Sequence, residues 1–188
     1  MARQLYLSGH FFLFSRSMSA KRKLILIRHT KSDWGDFSLP DIDRPIKKDR
    51  IEDAENMASK LKSLKLVPDL IICSPAKRTR QTVKYFYEKL KYEKDKIRFD
   101  ERIYESSATE IMQVVQETDS KIKTLVLIGH NPPLTRFANL FIEDTIDEIP
   151  TTGVVWLEFV NADWKIDPQT HCKLLHFLTP KTIYPHQR

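Results

Sequence analysis

Four residues of this chain, Arg28, His29, Arg78 and His130, combine types and positions that could do chemistry together. Arg28 and His29 close the aliphatic run LILI, Arg78 follows DLIIC in the block SPAKRTRQT, and His130 closes TLVLIG. The set suits phosphoryl transfer. An arginine fork matches phosphate oxygens bidentately and keeps its charge at any ordinary pH. A histidine among cations is pushed toward its neutral form, which is the nucleophilic one. One histidine could attack phosphorus while the other, with the arginines, binds the equatorial oxygens where charge collects.

These side chains reach one place only if the elements before them share a sheet. Lys23 to Arg28, residues 69–73 and residues 124–129 each read as a short buried strand. Ile51, Ala54, Met57, Ala58, Leu61 and Leu64 recur at spacings of three and four, which predicts an amphipathic helix over 50–66. Ser74 and Pro75 have the types expected at an N-cap and first helical position, so a helix is expected from there to about Leu90. Residues 97–99 read as a short edge strand and 108–118 as a helix. Pro132 and Pro133 open another helix, running through Leu140 and Phe141. Residues 154–160 and 173–178 return to strand periodicity as an antiparallel pair at a sheet edge. Strands alternating with helices imply an α/β fold, a three-layer α/β/α sandwich with a mostly parallel sheet and antiparallel C-terminal edge strands. In such sheets ligands bind beyond the carboxyl ends of the parallel strands, so the two arginines and two histidines would meet at one rim. Helix N-termini behind Ser74 and Asn131 would add backbone N–H donors there.

Charge excludes one class of function. The net charge is +6, but the first 31 residues carry seven Lys or Arg and no acid. The remainder holds 24 basic against 25 acidic residues, close to neutral. Local bias persists in residues 77–98, where nine basic residues face three acidic ones, but no aromatic platform accompanies it. Nucleic acid is therefore not an expected partner. No window approaches the ~18 consecutive apolar residues that would span a bilayer, so no membrane partner is expected either. Cys73 and Cys172 lack metal or redox spacing and read as buried free thiols, in keeping with a reducing, cytoplasmic setting. Residues 1–20 differ from the rest and read as an N-terminal extension: a disordered or upstream-start segment, or a targeting peptide. Residues 21–188 form a single domain, taken as a monomer.

Five blocks, LILIRHTKSDW, DIDRPIKK, DLIICSPAKRTRQT, GHNPPLTRFANL and IPTTGVVWLEF, together resemble the histidine phosphatase superfamily, in the phosphoglycerate mutase-like branch. Within it they are most similar to the small SixA-type phosphohistidine phosphatases, over residues 22–180 and in the family's order. The resemblance implies that His29 is the phosphorylated nucleophile and that Arg28, Arg78 and His130 complete the phosphate pocket. It places Glu105, after the edge strand, near the position of the general acid in mutase-like relatives. Arg44, before the loop proline, becomes a substrate-side contact, with Asn131 and Thr30 beside the pocket. No metal or other cofactor is implied. Two positions depart from the pattern: Thr30 stands where many relatives have glycine after Arg-His, and Arg50 where a glycine usually opens the first helix.

Competing readings are weaker. Asp33, Asp36, Asp41 and Asp43 share a solvated loop without fixed ligand geometry, a poor metal site. Ser74 lacks the G-x-S-x-G elbow of a nucleophilic serine, and capping accounts for it. Thr151, Thr152 and Gly153 read as a backbone feature near the site. The expected substrate is a phosphohistidine on another protein, with a small phosphate ester as the alternative. A phosphate-binding module without turnover would be expected to have lost one of the histidines.

Overall fold

Alternation of side-chain direction along the first strand sets the layers. A computed structural model describes residues 20–184; most of the N-terminal extension, together with His10 and His186, lies outside the described residues. In β1 (Lys21–Arg28), Leu24 and Leu26 pack into one apolar cluster and Ile25 and Ile27 into another on the opposite face. All four are fully buried, each worth roughly 1.5–3 kcal/mol of transfer free energy. Both faces are covered because helices lie on both sides. Helices α1 (Ile51–Ser63) and α2 (Lys77–Leu90) supply Met57, Leu61, Val83 and Phe86 to the Ile25 cluster. Helices α3 (Ala108–Gln116) and α4 (Pro133–Ala138) supply Ile111, Val115, Leu134 and Phe137 to the Leu24 cluster.

The remaining strands are β2 (Leu70–Cys73), β3 (Arg98–Phe99), β4 (Thr124–Gly129), β5 (Val154–Val160) and β6 (Cys172–Leu178), and a short helix α5 (Pro180–Ile183) follows. The sheet order is β3-β2-β4-β1-β5-β6. The first four are mutually parallel and β5 and β6 are antiparallel, as expected from the periodicity. Register aligns Arg28 with Gly129 and Cys73 with Ile128, so β1, β2 and β4 end at one level.

Three expectations need correction. Helix α2 begins at Lys77 behind Ala76, and the Ser74 side chain does not cap it. Helix α4 stops at Ala138; Leu140 and Phe141 continue in turn-type hydrogen bonds to Phe137 and Ala138. Cys73 is buried, but Cys172 opens the edge strand and is only half-buried. Burial pushes both thiols up to about 12, which leaves them protonated and unreactive near neutral pH. Arg50 sits at the entrance to α1 with φ −117°, a value open to any residue, so the missing glycine is tolerated.

Gly129 has a positional reason. A Cβ there would lie 2.9 Å from Ile103 Cγ2, closer than packing allows. Its absence lets the turn Glu101–Ile103 press on the end of β4 and carries Tyr104 over the adjoining histidine.

Candidate active site

His29 is the first residue after β1, and its backbone is tied from both sides. Its N–H donates to Gly129 O (3.1 Å), and its carbonyl accepts the Thr152 N–H (3.1 Å). Thr152 is buried with φ 63°, a left-handed conformation uncommon for a β-branched residue. That geometry directs its N–H at the Arg28 and His29 carbonyls and its hydroxyl to Thr30 Oγ1 (3.1 Å). The threonine–glycine segment is thus the backbone feature its sequence suggested.

The His29 tautomer follows from its partner. Nδ1 lies 2.7 Å from Thr30 O, which can only accept, so Nδ1 carries the proton and Nε2 keeps a lone pair. His130 lies beside it, ring centroids 5.0 Å apart and tilted 52°. Its Nε2 is 2.8 Å from Ser74 Oγ, and its Nδ1 is buried without a partner. In the tautomer that accepts the serine hydroxyl at Nε2, Nδ1–H is a spare donor suited to an oxygen of a bound phosphoryl group. Ser74 Oγ therefore meets His130, besides accepting the Ala76 N–H (3.4 Å) ahead of α2.

Burial pushes His29 down to about 4; its bond to Thr30 raises it, and the Arg78 and Arg28 charges push it lower. Burial, then His29 and Arg78, push His130 down to about 3. Both rings are neutral near pH 7. Because the unfolded chain would protonate them near 6.5, stability is complete above that pH and is lost as pH falls toward 4. Each ring contributes up to about 1.4 kcal/mol per pH unit in that window. Below pH 4 the ion-paired Asp41 and Asp100 add a further loss. The melting temperature is expected to drop between pH 7 and pH 4.5, and less steeply in a His29→Gln/His130→Gln double variant. Parallel curves for the two proteins would contradict this origin.

Arg78, on the first turn of α2, is nearly buried. Its Nη1 donates to Asp41 O (2.6 Å) and its Nη2 to Asp41 Oδ2 (2.9 Å), where Tyr104 OH also donates (2.9 Å). Arg28 donates through Nη1 to Glu148 and to Ile149 O (2.8 Å). Arg28 and Arg78 are therefore each met by a loop carboxylate. Sequence reasoning missed Asp41, Tyr104 and Glu148 as site residues.

The outer candidates divide. Arg44 stacks on Trp34 with its guanidinium carbon 3.7 Å from the ring centroid, and its Nε and Nη1 are buried without partners. Asn131 donates to Ile149 O (2.8 Å), and its Oδ1 is buried and unpaired. Thr30 is engaged internally, by Thr82 and Thr152. Glu105 is exposed, with no hydrogen bond among the described residues; Tyr104, one residue earlier, donates to Asp41. Among the described residues, no group of three or more His, Cys, Asp or Glu is arranged to hold a metal ion.

Residues 24–138 match the family model described as the histidine phosphatase superfamily, branch 1. The chain belongs to that superfamily. An uncharacterized chloroplastic protein of Arabidopsis thaliana is 32% identical over 162 residues, covering 82% of this chain and 74% of that protein. An uncharacterized protein of Mycobacterium tuberculosis is 24% identical over 152 residues, covering 76% and 92%. Among solved structures, SixA of Agrobacterium tumefaciens superposes with a TM-score of 0.73 at 22% identity, covering 85% and 98%. The protein histidine phosphatase SixA in complex with tungstate gives 0.72 at 16%, covering 86% and 99%. A mycobacterial glucosyl-3-phosphoglycerate phosphatase gives 0.60 at 15%, covering 82% and 97%. At these identities the superpositions establish the fold, which this histidine phosphatase shares with both kinds of neighbour.

Proposed function

We propose that this protein is a metal-independent phosphatase that forms a covalent phosphohistidine on His29 and takes its phosphoryl group from a protein phosphohistidine. The observation that carries the reading is the state of His29: neutral, Nδ1–H fixed to Thr30 O, Nε2 unprotonated, with Arg28, Arg78 and His130 around it. His29 Nε2 attacks phosphorus in line as the bond to the leaving group breaks. The arginines and His130 Nδ1–H neutralise charge on the equatorial oxygens. Water then attacks the phosphoenzyme, returning His29 and releasing phosphate.

Two features support the phosphohistidine substrate. Only 51 residues separate Arg78 from His130, and they are taken up by the rest of α2, β3, α3 and β4 with their connections, which leaves no stretch for a separate lid domain. Glu105 is exposed, and a phosphoramidate needs no strong acid because its leaving imidazole is a far weaker base than an alkoxide. The test compares turnover of a phosphohistidine-bearing protein with a panel of small phosphate esters, with His29→Ala as blank. kcat/KM is expected to favour the phosphohistidine protein by at least about tenfold. Preference for an ester would overturn the substrate and leave the nucleophile standing.

A further inference from the structure

Asp41 poses a physical problem for any site that binds a phosphoryl dianion. Its carboxylate lies against Arg78, the deepest of the phosphate clamps, and adds negative charge where negative charge must enter. Partial burial pushes its carboxyl up, but hydrogen bonds from Tyr104 and Arg78 and the charges of Arg78 and Arg44 outweigh that and hold it below the usual carboxylate range. It is ionised at neutral pH and has no proton to give. Its field also reaches both His29 and His130.

The position is built rather than accidental. Oδ2 accepts from both Arg78 and Tyr104, and the backbone carbonyl of the same residue accepts from Arg78. The Tyr104 ring in turn stands edge-on to His130, centroids 5.7 Å apart. Oδ1 takes part in no hydrogen bond among the described residues, and the side chain is half exposed. The rim therefore offers a fixed carboxylate acceptor beside Arg78, with one oxygen engaged and the other facing outward.

An acceptor there discriminates between leaving groups. An ester oxygen departs as an alkoxide and gains nothing from a carboxylate. A phosphorylated imidazole, protonated on its distal nitrogen, presents an N–H and a delocalised positive charge. We propose that Asp41 receives that N–H and so selects phosphoramidates of imidazole over phosphate esters, an inference that rests on the function proposed above. In the transfer step the His29 Nε2 lone pair forms the new N–P bond. The old P–N bond breaks with its electron pair returning to the ring nitrogen. The distal N–H stays on the ring, held by Asp41, and neutral imidazole leaves without taking a further proton. The carboxylate stabilises the protonated substrate, the form whose P–N bond breaks readily.

The test measures Asp41→Asn and the wild type on two probes, N-phosphoimidazole and p-nitrophenyl phosphate. Arg78 is released from its partner equally for both probes, so the informative quantity is the ratio of their kcat/KM values. That ratio is expected to fall about tenfold or more in the variant, the loss of one charge-assisted hydrogen bond. An unchanged or increased ratio would overturn the role of Asp41 while leaving the proposed substrate class intact. A wild type that hydrolyses p-nitrophenyl phosphate but not N-phosphoimidazole would overturn the substrate class and this inference with it.

Discussion

A His29→Ala protein is expected to lose turnover by a factor on the order of 10⁴ or more and to form no acid-labile phosphoenzyme. The size of the effect follows from how much of the molecule serves that ring. Leu24 to Ile27 are fully buried in the centre of the sheet, so the chain arriving at His29 has no freedom to drift. Hydrogen bonds to Gly129 O and from Thr152 N–H fix the backbone on both sides, and Thr30 O selects the tautomer. A positioned nucleophile gains its advantage from that fixity, which no other group at the rim could reproduce. His130 is held differently, with its Nε2 engaged by the Ser74 hydroxyl. Rapid quench into alkali after mixing with labelled substrate would count the phosphoenzyme directly. Labelled phosphoenzyme in the alanine variant would move the nucleophile to another residue.

Replacing Arg78 with alanine is expected to lower kcat/KM by about 10²–10³-fold, with most of the loss in kcat. Arg78 is nearly buried, so its charge acts across a medium of low polarizability rather than through water. Its fork now grips Asp41 through two nitrogens, the planar arrangement a phosphoryl group would require. Lysine would keep the charge and lose the fork, so Arg78→Lys should recover only a minor part of the activity. Full activity in the lysine variant would show that a point charge suffices there. A loss confined to KM would mean that Arg78 binds substrate and transition state equally.

The residues that could be found from sequence were those attached to strong periodic signals. Arg28, His29 and His130 each end a run of buried aliphatics, and Arg78 falls one turn into a helix whose start is marked by a strand. Position relative to an element is local information, and the parallel order of the sheet converts it into proximity. Asp41 offers no such handle. It sits among four aspartates in a polar loop, and nothing in that loop reveals that a buried arginine 37 residues away would claim one of them. Ser74 was visible but misread: a serine before proline at the end of a strand has the types of a helix cap. Its hydroxyl instead found a histidine 56 residues away, a partner that only the folded sheet supplies. Tyr104 had no signal for a similar reason, since its hydroxyl meets Asp41, 63 residues away, only in the folded chain.

The placement of β1 between β4 and β5 bears on how the enzyme acquires activity at all. The chain that carries the nucleophile is complete by residue 29, yet its carbonyl waits for Thr152, its amide for Gly129, and its companion imidazole for residue 130. Until more than 120 residues have been made and paired, His29 is a histidine at the end of a strand with no pocket. Pairings of such long separation are the slow events in forming a sheet. Recovery of catalysis after dilution from denaturant should therefore trail recovery of helix, and the enzyme's own turnover becomes a clock for the last long-range pairing in its sheet.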